Sequence, residues 1–191
     1  MKTLKKLGVI LVLALTVGFS AKAQSYTLAK ESSSLLVEGT STLHDWEEKA
    51  EKLGGTAQIV MEGNKLVEIK QLTFKVDVES LKSEHSGMDS NTYKALDSKT
   101  YPEITYELTK INSTKPGKNG IVLSTTGKLT IKGVSKTITM DVDVMEGSVV
   151  FAGETTFKMS EYGVEPPTAL MGTIKTGDEV TIKFKVKYVK Q

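Results

Sequence analysis

Residues 180–189, VTIKFKVKYV, alternate without a break. Val180, Ile182, Phe184, Val186 and Tyr188 fall on one side of an extended chain, and Thr181, Lys183, Lys185 and Lys187 on the other. Side chains of a strand point to opposite faces with a period of two, so this stretch reads as a strand with one face buried and one in water. Residues 137–145 repeat the pattern, setting Ile138, Met140, Val142 and Val144 against Thr139, Asp141 and Asp143. Residues 65–78 do so again, with Leu72, Phe74, Val76 and Val78 opposing Thr73, Lys75 and Asp77. Further extended runs are read at 26–29, 35–43 and on through Trp46, 55–61, 103–111, 121–131 and 149–159. About eight two-faced strands must hide their apolar faces against one another. A closed barrel and a two-layer sandwich both achieve this. Several runs exceed the usual strand length, and most connections are hairpin-like, as at Glu62-Gly63-Asn64-Lys65, Lys132-Gly133 and Glu146-Gly147. Both features favour an all-β, antiparallel, up-and-down barrel. Residues 112–119 read as a polar loop, and the absence of a fixed repeat excludes a solenoid.

Composition narrows the chemistry. Cysteine is absent, so there is no disulfide framework, no thiol catalysis and no thiolate metal site. Stability has to come from burial and from a ladder without free edges, which a closed barrel supplies. Every cation other than histidine is lysine, and without guanidinium forks a nucleic-acid partner is disfavoured.

The chain opens like a secretory leader. Lys2, Lys5 and Lys6 precede an apolar run from Leu7 to Phe19, and Ala21-Lys22-Ala23 supplies a small-residue cleavage site. The apolar run is shorter than the roughly 20 residues a membrane span needs. Residues 1–23 are therefore expected to be a signal peptide, and 24–191 the mature domain, periplasmic or secreted. The formal charge of +2 includes four leader lysines, so the mature chain is near −2.

One stretch breaks the strand rhythm. In SLKSEHSGMDSNTYKALDSKTYPEITY, residues 80–106, Met88, Thr92, Ala95 and Leu96 recur at i, i+4, i+7 and i+8, a helical face. Ser86 and Asp89 stand at capping-box spacing. Pro102 forbids continuation, and the chain returns to alternation at Glu103. A single apolar-faced helix in an all-β chain is expected to lie over one end of the barrel.

These residues also carry a resemblance. The S-L, MDSNTYKAL and YPEITY segments, GKLTIKGVSK at 127–136, and YGVEPPT at 162–168 followed by GDEV at 177–180 resemble, in order, the signature of the YceI-like family. The resemblance implies an extended lipocalin-like barrel with the helix near its mouth. It also implies, for some members, a polyisoprenoid or other long apolar lipid inside the barrel, and it allows a homodimer.

The inward set expected for such a barrel is Phe74, Val76, Tyr106, Leu108, Leu123, Leu129, Ile131, Ile138, Met140, Phe151, Phe157, Ile182 and Phe184. On one reading these residues fill a solid core. On the other they line an elongated cavity, with Met88, Tyr93 and Leu96 as a lid and His44 at the wall or mouth. Met61, Met88, Met140, Met145, Met159 and Met171 add deformable thioethers suited to an irregular chain, or to ordinary gap-filling. Roughly fifteen buried carbons would contribute about 12 kcal/mol gross. An apolar tube of this kind selects poorly between chain lengths.

Chemical motifs are few. His44-Asp45 suggests an acid–base pair, and His44, His85 and Asp89 a metal set, but neighbours on a strand point to opposite faces. His44 is better read as a polar mouth residue, Trp46 as aromatic packing with its indole N–H satisfied, and His85 as a solvated residue before the helix. Asp89 is expected to cap the helix, and residues 162–172, stiffened by Pro166-Pro167, to border the rim opposite it. Asn112-Ser113-Thr114 matches a glycosylation triplet. The chain is thus expected to be a non-enzymatic, cofactor-free and metal-free carrier or sequestering protein. Its partner would be an apolar lipid such as a polyisoprenoid, with the membrane met transiently as lipid donor or acceptor. The alternatives are a ligand-free structural or stress-response barrel and a small exported enzyme using His44, Asp45 or Asp89.

Overall fold

The computed structural model describes residues 22–145, 147–169 and 171–191, so the expected leader lies outside the described residues except for Lys22 and Ala23. Twelve strands follow in chain order: β1 Gln24–Leu28, β2 Ser34–Ser41, β3 Trp46–Ala50, β4 Leu53–Glu62, β5 Lys65–Asp77, β6 Leu81–Lys82, β7 Glu103–Gly117, β8 Gly120–Ile131, β9 Val134–Met145, β10 Val150–Lys158, β11 Thr168–Ala169 and β12 Ile174–Lys190. One helix, α1, spans Ser86–Ala95. The sheet runs β1-β4-β5-β7-β8-β9-β10-β12 and closes on itself through β12–β1, a ring of eight. Every pairing is antiparallel, and successive staves are sequence neighbours. This is the expected up-and-down barrel.

Five staves of the ring are continuous and three are broken. β12 pairs β2 through its first part and β1 through its last, so β1 and β2 are one stave with a kink at 29–33. β3 and β4, and β5 and β6, are likewise broken staves. The three breaks lie side by side, because Leu53 faces Val76 below the gap and Ala50 faces Leu81 above it. Backbone groups released there cannot stay unpaired in a wall. Ser33 Oγ donates to Ala29 O at 2.8 Å and accepts from Lys187 N at 3.0 Å. Ser80 Oγ accepts from Lys52 N at 3.0 Å and donates to Asp77 O at 2.7 Å. Two hydroxyls thus replace missing ladder bonds.

Two extended segments had been hidden from periodicity. β7 continues to Gly117, where the sequence reads as a polar loop from 112, because register shifts between Leu108 and Lys110 and between Ile111 and Ser113 insert extra residues. A bulge breaks the period of two that announces a strand. Asn112 Nδ2, of the glycosylation-like triplet, donates across to Thr126 Oγ1 at 2.9 Å. β12 likewise begins at Ile174, six residues earlier than the alternation shows, with an irregularity between Thr176 and Val180.

The two ends of the barrel differ. At one end Tyr26, Ile59, Val144, Val149, Phe151 and Tyr188 pack into a solid floor, with the Phe151 and Tyr188 rings edge to face at 5.9 Å. Tyr188 Oη reaches Thr73 O at 2.7 Å, passing over Gly55, where a Cβ would lie 2.7 Å from that hydroxyl. At the other end lie the β2–β3 loop, α1, the Lys132-Gly133 turn and the connection after β10. The 162–172 connection therefore borders the same rim as the helix, not the opposite one.

Candidate functional site: a two-chambered interior with one mouth

The inward faces of the staves enclose a narrow inner chamber of about 140 Å³. Phe74 and Val76 reach it from β5, Tyr106 and Leu108 from β7, and Leu123, Leu129 and Ile131 from β8. Ile138 and Met140 come from β9, Phe151 and Phe157 from β10, and Ile182 and Phe184 from β12. All thirteen expected inward residues thus share one wall. Its size is close to that of an apolar cavity that holds a benzene-sized guest.

Above it lies an outer chamber of about 390 Å³, within the range of ligand pockets. The two meet at a neck whose residues line both: Val37, Leu81, Ile104, Ile131, Phe157 and Ile182. The outer chamber is flanked by α1 on one side and by the connection after β10 on the other. Met88, Thr92, Ala95 and Leu96, the face expected from helical spacing, all line it. So do Tyr162, Val164 and Pro167. The interior is therefore two linked compartments above a floor of packed side chains, rather than one uniform tube.

The helix is held by bonds other than those its sequence suggests. Asp89 does not form a capping box with Ser86. The helix caps on His85 without a side-chain bond, and Asp89 Oδ1 accepts from Ser83 N at 2.8 Å and Ser83 Oγ at 2.7 Å. Lys82 Nζ stands 3.6 Å from Asp89 Oδ2. Burial alone would raise this carboxyl, but the Ser83 bonds and Lys82 outweigh it and hold it below the usual range. The helix ends well before Pro102. Ser98 N bonds to Tyr93 O at 2.9 Å and Asp97 N to Lys94 O at 3.2 Å, a Schellman pattern with Asp97 at φ 50°.

Tyr93 is no part of the chamber wall. Its hydroxyl accepts from Lys82 Nζ at 2.6 Å and donates to Leu81 O at 2.7 Å, which pins the helix to the barrel edge. Met88 and Leu96, named with Tyr93 as a lid, line the outer chamber. Met171, grouped with the cavity thioethers by the sequence reading, is fully exposed on its loop.

His44 sits on the exposed mouth loop, its Nδ1 2.6 Å from Asp45 O, and lines the outer chamber. His85, also exposed, lines it too. Asp89 is turned away to Ser83 and Lys82, so the histidines and this carboxylate are not joined in one site. Among the described residues no group of three or more His, Asp or Glu side chains is placed to hold a metal. Trp46 Nε1 donates to Thr40 O at 3.0 Å. Its ring lies flush on Gly39, where a Cβ would come within 2.3 Å, so only glycine fits beneath it.

Sequence reasoning missed three polar groups of the outer chamber. Glu48 is 2 % exposed and accepts from Thr92 Oγ1 at 2.6 Å. Burial is the main cause that pushes its carboxyl up to about 7, the Thr92 bond acting against it. The signal was present: in W-E-E-K-A, Trp46 and Ala50 set the inward phase, and Glu48 falls on it. Thr92 was read only as a member of the helix face. Tyr162, on the one-turn 3-10 segment Met159–Tyr162, is 1 % exposed, and its hydroxyl has no hydrogen-bond partner among the described residues. It follows β10, where no alternation marks it as inward.

A profile of the YceI-like domain matches residues 26–188. The chain belongs to the YceI-like family. That match runs from within β1 to within two residues of the end of β12. Among solved structures, this YceI-like chain is similar to BcnA of Burkholderia cenocepacia, with 25% identity, a TM-score of 0.68, and 83% of this chain and 98% of that one covered. A polyisoprenoid binding domain from Saccharophagus degradans, implicated in plant cell wall breakdown, shares the fold at 13% identity and TM-score 0.65, covering 88% and 99% of the two chains. The YceI protein of Campylobacter jejuni shares it at 21% identity and TM-score 0.55, covering 75% and 84%. No curated protein matches the sequence.

Proposed function

We propose that this YceI-like protein takes the tail of a long apolar lipid, of the polyisoprenoid or fatty-chain class, into its barrel and carries or sequesters it. The observation that carries this reading is the pair of linked chambers inside the barrel, apolar from neck to floor and large enough together for a chain. Family membership and the kinship in fold with a polyisoprenoid-binding domain support it. Tail burial supplies the affinity at about 0.8 kcal/mol per methylene, reduced by the cost of ordering the chain. The inner chamber takes only the end of such a chain, so most of it occupies the outer chamber and neck.

The reading is of a binding protein, not an enzyme. His44 and Asp45 meet only through a backbone carbonyl, and the Asp89 carboxylate is committed elsewhere. The leader at 1–23 supports an exported protein, and intact mass of secreted material, starting at Gln24, checks this. Leu43 and Met171, exposed on two neighbouring mouth loops, support transient contact with a bilayer during loading. Native mass spectrometry of protein incubated with a polyisoprenoid alcohol tests the central reading. A one-to-one adduct is expected, and protein that stays empty with every chain offered contradicts it.

A further inference from the structure

Two carboxyl groups are buried among the described residues, and they are treated in opposite ways. Asp89 is surrounded by donors: Ser83 N–H, Ser83 Oγ and Lys82. Glu48 has the Thr92 hydroxyl at 2.6 Å, and both line the outer chamber just above its apolar neck. From the other side of the ring Tyr162 lines the same chamber, its buried hydroxyl unpartnered among the described residues. A buried phenol without a partner costs free energy that a bound polar atom would recover. Polar groups set in an otherwise greasy pocket are what fix the orientation of an amphiphile.

Charge decides which amphiphile. No lysine lines the outer chamber among the described residues. Lys82, the cation that bears on Glu48 from β6, is committed to Tyr93 and Asp89. Asp89, on α1, adds negative charge beside Glu48. His44 and His85 are the titratable groups at the rim. Just outside, a groove shared with His44, Trp46, His85 and Met88 is lined by Glu38, Asp45, Glu47, Glu84 and Glu179. An anionic head settled against Glu48 would lie beside this acidic rim, where Glu38 is paired with Lys183, and no lysine lines the chamber to meet it.

We propose that Glu48, Thr92 and Tyr162 form a head-group subsite for an un-ionised polar head, a hydroxyl or carbonyl, and that the site rejects carboxylate and phosphate heads. This rests on the lipid-binding reading above and adds head-group selectivity to it. A hydroxyl head can donate to Glu48 once that group has lost its proton, or accept from Tyr162 across the chamber. A carbonyl head needs a donor, so it is held best while Glu48 keeps its proton and more weakly as pH rises through about 7.

The test compares farnesol with farnesyl phosphate, one tail with two heads, by calorimetric titration at pH 8 on wild type, Glu48→Gln and Tyr162→Phe. The alcohol is expected to bind at least about 10-fold tighter than the phosphate to wild type, and Glu48→Gln to cut that ratio severalfold by admitting the phosphate. Tyr162→Phe should weaken the alcohol by about 3- to 10-fold. Urea melts of both variants verify that they are folded, and Thr92→Val serves as a third variant if either is not. Equal affinity of wild type for the two heads, or a ratio unmoved by Glu48→Gln, overturns the subsite while leaving tail binding intact. Binding of neither ligand overturns the lipid-binding reading and this inference with it.

Discussion

The two chambers are built from the same staves yet differ in chemistry. Around the inner one the lining is mostly aliphatic and aromatic; of its hydroxyls, Tyr188 bonds to Thr73 O and Thr125 to Met140 O, while that of Tyr106 is buried without a partner among the described residues. Around the outer one the short strand β3 brings in Glu48, the helix Thr92, and the connection after β10 Tyr162, above the apolar neck. Regular strands yield an apolar interior because one face must leave water. Polar groups enter where the chain leaves the ladder, or where an inward position on a short broken strand is given to glutamate. The barrel supplies a generic apolar site, and its interrupted end supplies discrimination.

Closing the neck should separate the chambers most sharply. Val37→Trp would deny the inner chamber to a tail, and if roughly five carbons are excluded the loss is about 4 kcal/mol, near a thousandfold in affinity. Short chains that stop in the outer chamber should bind as before, which a pair of titrations with a short and a long alcohol measures. Equal losses for both would mean that the chambers are not sequential.

Next in size is the acid of the outer chamber. Glu48 keeps its proton in the folded protein up to about 7 but loses it near its ordinary 4.5 when unfolded. The folded state therefore holds the extra proton between those values, and stability falls as pH rises through that window. The shift corresponds to a contribution of about 3 kcal/mol. Glu48→Gln should remove this part of the pH dependence and be the more stable protein at pH 8, as urea melts at several pH values would record. The inner chamber has no such group, and Tyr106→Phe should leave the pH profile as it is.

The buried phenols give a finer contrast. Among the described residues neither the Tyr106 nor the Tyr162 hydroxyl has a partner, so Tyr→Phe at either should be neutral or stabilising by about 1 kcal/mol in thermal melts. Only Tyr162→Phe should then weaken a polar-headed ligand. Smallest of all are Leu43→Ser and Met171→Ser on the exposed rim, which should change stability by less than about 0.5 kcal/mol. They should still reduce co-sedimentation with lipid vesicles.

Much of the inner chamber was legible in the sequence, and much of the outer chamber was not. Alternation at 137–145 and 180–189 placed Ile138, Met140, Ile182 and Phe184 on one wall because a strand leaves no choice of side. The helical face Met88, Thr92, Ala95 and Leu96 was legible for the same kind of reason, since 3.6-residue spacing is as strict as a period of two. Asp89 was not, because its short side chain had several donors within reach and Ser83 and Lys82 captured it in place of Ser86. Residues 112–117 failed because bulges erase periodicity. Tyr162 failed because a one-turn 3-10 segment has none. Glu48 was readable from its phase between Trp46 and Ala50, but a charged residue at an inward position contradicts the hydrophobic rule by which the inward set was chosen.

The most direct test is a chain-length series: calorimetric titration of the protein with primary alcohols from about eight to about eighteen carbons, where each added methylene should tighten binding about fourfold until the inner chamber is full. Affinity that climbs with length and then levels off is the predicted result. Affinity independent of length, or no binding at any length, would contradict the claim that the barrel interior receives an apolar chain.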